Sequence, residues 1–188
     1  MDNYKKIEGF IDKNIWVTRK SRIEAEARMI RNHNFLQFTL VYYTFFILAF
    51  SIWLLVTENY NISIFTVILS VGLFGFNIYF NSIGFNEKAL KYKESYLELT
   101  QLQYKMEQLL DEEEGIKTEE FHDLKSDYQQ ILSKTDNHSE LDYLKVLIKH
   151  NNLTSIRSLL YFYTFNFIKY AVFTCILVLP LILIIFVI

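Results

Sequence analysis

The chain has one cysteine, one proline and five glycines among its 188 residues. Each scarcity excludes something. A lone thiol, Cys175, closes no internal disulfide, and inside an apolar run it reads as a small apolar filler. So few glycines leave no phosphate-cradling loop and no room for a nucleotide-binding α/β domain. There is no Gly-x-Ser-x-Gly elbow. The four histidines, His33, His122, His138 and His150, lack the spacing of metal ligands. No catalytic constellation remains, so the expectation is a protein that is not an enzyme and carries no cofactor. No cleavable leader is read either. The first apolar run begins too late, and no small-residue cleavage site follows it.

Charge is also missing, and locally so. Residues 32–57 and 59–86 carry no Asp, Glu, Lys or Arg, and they flank a single acid, Glu58. A bilayer core takes about 20 apolar residues per helix, and each run exceeds that. The connection at residues 57–61 is too short to be a domain, so the two helices must cross in opposite directions. A third uncharged run, 170–188, is long enough to span as well. Residues 158–169, rich in Tyr and Phe with Lys169 at the end, suit the headgroup level, where Tyr rings sit and a lysine snorkels. Lys169 is the expected interface anchor.

The basic residues set an orientation. The first 34 residues hold Lys5, Lys6, Lys13, Arg19, Lys20, Arg22, Arg28 and Arg31, the connector after the first run holds no Lys or Arg, and lysines return after residue 84. Basic residues near span ends stay in the cytoplasm. The N-terminus and the middle segment are therefore expected in the cytoplasm. The N-terminal arm is basic and the middle segment acidic, through Asp111–Glu114, Glu119 and Glu120. Docking of one on the other and independent solvation of both are open alternatives.

The fold class is an all-α integral membrane protein. An N-terminal amphipathic helix (1–34) runs into a two-span hairpin (35–83, spans about 35–56 and 62–82). A cytoplasmic helical module (84–157) and a C-terminal segment with a third span (158–188) follow. The arm has Ile15, Ile23, Ala27 and Ile30 as a partial apolar face, and Lys20–Glu24, Arg22–Glu26 and Glu24–Arg28 as opposite charges at helical spacing. No Pro or Gly interrupts residues 12–56, which predicts one unbroken helix. In the module, Leu99, Leu102, Met106 and Leu109 recur at helical spacing. Gly115 marks a turn. A second helix starts at Thr118 with Phe121, Leu124, Tyr128, Ile131 and Leu132 on its apolar side. Ser139 with Asp142 signals the N-cap of a third, which carries Leu141, Leu144 and Ile148.

The second span holds the informative polar residues. Ser70, Gly72 and Gly75 are small and suit close helix packing. Asn77 and Asn81 are amides at or near membrane depth. Such groups either glue helices together or face a water-filled path, and for Asn81, near the interface, plain solvation is a further alternative.

The stretch from Ile15 to Arg28, with Trp16, Arg19, Lys20 and Arg22 leading into a tight hairpin, resembles the SLATT family, the SMODS- and SLOG-associated two-transmembrane effectors of bacteria. The resemblance covers roughly residues 3–94, and the reverse-transcriptase-associated branch is one candidate placement. It implies an oligomeric pore-forming effector of antiphage defence and abortive infection. It also implies a trigger: a nucleotide-second-messenger synthase, a nucleotide sensor or, in one branch, a reverse transcriptase. The third span departs from a plain two-span layout. Direct contact with nucleic acid is not expected, and the lipid bilayer and further copies of the chain are the expected partners. The alternative reading is a non-conducting membrane scaffold that recruits a partner enzyme.

Overall fold

The computed structural model describes residues 2–57, 59–111, 118–150 and 155–187. Glu58, the acidic residues 112–114 and the turn at Gly115 lie outside the described residues. Among the described residues seven α-helices follow one another: α1 (Asp2–Phe10), α2 (Val17–Thr57), α3 (Tyr60–Ile83), α4 (Phe85–Asp111), α5 (Thr118–Ser133), α6 (Glu140–Lys149) and α7 (Ile156–Val187). A π-turn over Ile11–Trp16 joins α1 to α2. There is no strand among the described residues, as the all-α membrane reading requires. Three stretches, within Tyr4–Thr57, Tyr60–Asp111 and Ile156–Ile182, are long and apolar enough to cross a membrane.

The chain divides into two compact units. One comprises Met1–Ile30 and Asn86–Phe162, the other Arg31–Phe85 and Tyr163–Ile188. The arm thus belongs with the module rather than standing as a segment of its own, and the docking alternative is the one realised. The core of this unit gathers Ile7, Ile11 and Ile15 from the arm with Leu99, Leu102 and Met106 from α4 and Ile131 from α5. Phe10, Phe121, Leu124 and Tyr128 pack around them. Phe10 meets Phe121 and Tyr128 edge-on, with centroids 5.9 and 5.3 Å apart. Such pairs add to the stabilisation that burial alone provides.

The arm's buried face differs from the one its apolar residues suggest. Ile15 is buried, Ile23 and Ala27 are half-buried, and Ile30 is 41% exposed. Beyond the π-turn the buried positions are Ser21, Arg22, Glu24, Ala25 and Met29, a mixed set with no apolar signature. The expected unbroken helix from residue 12 is corrected too, because α2 starts at Val17. Ile7, Ile11 and Ile15 step by four, wider than the 3.6 of an α-helix. The i→i+5 bonding of the π-turn widens the helix there and keeps all three on one side.

In the membrane unit, α2 and α7 run parallel. Asn32 meets Lys169, Phe35 stacks on Phe173 at 3.8 Å, and Tyr43 reaches Ile176. Parallel first and third crossings are what two reversals of direction produce. Hydroxyls in the spans bond back to the carbonyl four residues earlier: Thr39 to Phe35, Ser51 to Ile47, Thr66 to Ile62 and Thr174 to Tyr170. Lipid offers no alternative acceptor, so this internal satisfaction is the cheap solution. Asn59 caps α3, its side chain accepting from the backbone N–H groups of Asn61 and Ile62. Gly84 ends the helix in the left-handed conformation, with φ of 65°, where a side chain costs more than it does elsewhere.

Candidate functional site

Two groups of residues carry the chemistry, one in each unit. In the unit of arm and module, Arg22, Glu24 and Arg28 of the arm are engaged across helices. Arg22 is fully buried, and its two terminal nitrogens donate to the carbonyls of Ile131 and Leu132, each at 3.4 Å. These carbonyls lie in the last turn of α5, where carbonyls have no partner of their own and a cation is favoured by the helix dipole. Burial holds the Arg22 guanidinium below its ordinary value, and nearby Tyr128, Tyr92 and Glu98 act the other way. The Nε atoms of Arg22 and Arg19 are buried without a hydrogen-bond partner among the described residues. Trp16 sets its indole edge-on to His150 at 4.7 Å, and Lys20 lies 5.9 Å above the same ring. The four motif residues of the arm therefore share a unit with α5 and the end of α6, and none of them is simply a solvated charge.

Arg28 makes a two-pronged ion pair with Asp142, both bonds 2.9 Å, although Asp142 is only 3% exposed. The same carboxylate closes the capping box of α6, accepting from the Ser139 backbone N–H at 3.0 Å and from its hydroxyl at 2.7 Å. Glu24 binds Lys145 at 2.6 Å and also Lys149. Burial raises the Glu24 carboxyl, and the hydrogen bonds and charges of these two lysines more than offset that, so it sits below its ordinary value. Thr18 and Tyr128 share a hydroxyl–hydroxyl bond of 3.0 Å. The in-helix charge pairs expected along the arm are redirected: the partners of Arg22, Glu24 and Arg28 come from α5 and α6. Spacing along one helix cannot reveal that choice. Asp142 was legible as a capping residue but not as the arm's anchor.

In the membrane unit, α3 carries a polar stripe. Ser63, Ser70 and Asn77 recur every seven residues, and Asn81 follows one turn on. Asn81 donates an amide N–H to the side-chain oxygen of Asn77 at 3.0 Å. A side-chain amide has two donors and an acceptor, so one shared bond leaves most of this pair's capacity unused among the described residues. Asn77 is half-buried and Asn81 exposed. Ser70 returns its hydroxyl to Val67 at 2.8 Å. A Cβ added to Gly72 or Gly75 would meet nothing within 4 Å. Among the described residues no neighbouring helix approaches these glycines closely. Gly72 instead lines an apolar cavity of about 400 Å³ with Thr39, Tyr43, Phe76 and Ile176. Lys169 donates to the Asn32 side chain at 3.1 Å and lies 5.3 Å over the Phe173 ring, an anchored amine at the start of the third span.

One contact had no counterpart in the sequence reading. Pro180 lies inside α7 and has no N–H for the carbonyl of Ile176 four residues before it. The Tyr43 hydroxyl donates to that carbonyl at 2.7 Å, and Tyr42 donates to Leu177 at 2.7 Å. The lone proline in a span was the available signal.

Comparison with curated proteins gives no match, and comparison with solved structures gives none. A family model does match: the SMODS and SLOG-associating 2TM effector domain family 5, over residues 5–188. The match takes in the arm, the hairpin, the module and the third apolar helix. The chain belongs to this SLATT family of membrane effectors.

Proposed function

We propose that the chain assembles with further copies of itself in the bacterial inner membrane and forms a pore that depolarises the cell on a cytoplasmic signal. The observation that carries this reading is the amide pair Asn77–Asn81 on a stripe with Ser63 and Ser70. Polar amides at membrane depth are costly against lipid and settle against protein or water. In a single copy Ser63, Ser70 and Asn77 are half-buried and Asn81 is exposed, so the stripe lacks full cover by protein and a water-filled path, and Gly72 and Gly75 are left uncovered. A ring of copies supplies both: small residues for close approach and amides toward a water-filled path. The arm, locked to α5 and α6 and continuous with the first span through α2, is the input. A nucleotide-signalling enzyme or a reverse transcriptase is the proposed source of the signal.

The test is induced expression with membrane potential followed by a voltage-sensitive dye. The parent should depolarise cells before growth stops. Asn77→Leu should remove the conductance while leaving the amount of protein in the membrane unchanged. A variant as toxic and as conducting as the parent refutes the stripe as the pore lining. A monomer or dimer in detergent that never conducts, even beside its genomic neighbours, favours the scaffold reading.

A further inference from the structure

Helix α4 has two organised faces. One points into the core through Tyr92, Leu99 and Met106, which are 4%, 0% and 0% exposed. Directly opposite, Leu90, Leu97 and Tyr104 recur at seven-residue intervals and are 56%, 48% and 63% exposed. Successive residues turn by about 100°, so the second row lies half a turn from the first. Four residues after each member stand Glu94, Gln101 and Gln108, all exposed. This row has the seven-residue period of a coiled-coil seam, with polar residues at the alternate positions and no partner among the described residues.

We propose that this seam pairs, in parallel register, with the α4 seam of a second copy of the chain. The inference rests on the oligomeric reading above and gives it a cytoplasmic contact. The side chains fit a copy of themselves. Glutamine is both donor and acceptor, so Gln101 and Gln108 each complement their own copies across a two-fold seam. With Leu90, Leu97 and Tyr104 at d positions, Lys93 falls at g and Glu98 at the following e. These two positions face one another between parallel strands. Glu98 already carries an exposed ion pair with Lys134 at 3.0 Å, so it stands on the surface with its charge outward. An antiparallel seam would instead set Glu98 against Glu98 and Lys91 against Lys105, like charge on like. The chemistry therefore selects the parallel arrangement. One layer opposes it: Glu94 meets Glu94 of the other copy. This makes the pairing reversible, and it names a variant that should tighten it.

The experiment uses the full chain in native membranes, with Cys175→Ser as background and single cysteines at Leu90, Leu97, Tyr104 and, off the seam, Lys91. Copper–phenanthroline is the oxidant. Disulfides require Cα atoms within about 7 Å. A parallel seam cross-links Leu90→Cys, Leu97→Cys and Tyr104→Cys each to itself, well above Lys91→Cys. Adding Glu94→Gln should raise the yield about twofold, by removing one like-charge pair. Cross-linking of Leu97→Cys alone, or of Leu90→Cys only with Tyr104→Cys, means an antiparallel seam and overturns the proposal. So does a yield no higher than that of Lys91→Cys at every position. Dye depolarisation measured on the same cells separates the two readings. A conducting parent whose seam does not cross-link refutes the seam and leaves the pore, whereas absent conductance counts against the pore itself.

Discussion

Replacing Tyr43 by Phe removes one oxygen and should reveal how the first and third spans are tied. The Ile176 carbonyl has lost its helical donor because residue 180 is proline, and the Tyr43 hydroxyl stands in at 2.7 Å. In hydrocarbon an unsatisfied carbonyl costs several kcal/mol in principle. Measured interhelical hydrogen bonds in membrane proteins are smaller, averaging about 0.6 kcal/mol and reaching about 1.7. This carbonyl has no chain partner to fall back on, so the upper end applies, and Tyr43→Phe should destabilise the fold by about 1.5 kcal/mol. Tyr42→Phe should cost less, because Leu181 carries an N–H for the Leu177 carbonyl. The assay is reversible unfolding in mixed micelles by titration with a denaturing detergent, read by tryptophan fluorescence. The decisive step is a double-mutant cycle with Pro180→Leu, which restores the missing N–H. In that background Tyr43→Phe should cost about 0.5 kcal/mol or less, a coupling near 1 kcal/mol. A full cost of Tyr43→Phe in both backgrounds would refute the reasoning, since the tyrosine would then act by packing alone.

Arg22→Ala should destabilise the arm-and-module unit by about 2–3 kcal/mol, through lost contacts of a fully buried side chain and two uncapped carbonyls; faster amide exchange at the end of α5 would report it. Gly84→Ala should cost about 1–2 kcal/mol because φ is 65° there, with Gly84→Asn better tolerated, as thermal unfolding would show. Acid should loosen the same unit in two stages. Burial holds His138 below its ordinary 6.5, with Asp142 opposing and Arg22 reinforcing. Its neutral form is favoured by folding, so this stability is full above pH 6.5 and is lost as pH falls below that toward the lowered folded value. Glu24, also depressed, adds a second loss as pH falls below 4.5. Far-ultraviolet dichroism against pH should show both steps, and His138→Gln should flatten the upper one.

Much of this architecture was legible in the residues. Leu99, Leu102, Met106 and Leu109 predicted the inner face of α4, and all four are buried. Ser139 and Asp142 predicted the start of α6, and the capping box is there. These signals are local, set by one helix's period or one turn's chemistry. What escaped was long-range. The inner face of the arm is lined by Ser21, Arg22 and Glu24, and the burial of Arg22 and Glu24 makes sense only once α5 and α6 supply carbonyls and ammonium groups. Likewise Tyr43 and Pro180 lie 137 positions apart in sequence, and neither announces the other. In the second span the polar residues were legible as types, while the cover each receives needed coordinates: Ser63, Ser70 and Asn77 are half-buried and Asn81 is exposed.

The π-turn at Ile11–Trp16 also bears on how this arm tolerates change in length. A π-turn holds a residue more than an α-turn would. Deleting one residue there should let the turn tighten into regular helix, with Ile7 still rotated toward Met106 and its neighbours. Deleting one residue from α2, where no slack exists, would swing everything before it by about 100° and turn the isoleucines out of the core. Length variants of this arm should therefore cluster at a single turn, and the chain's most irregular helical segment is where its register is most forgiving.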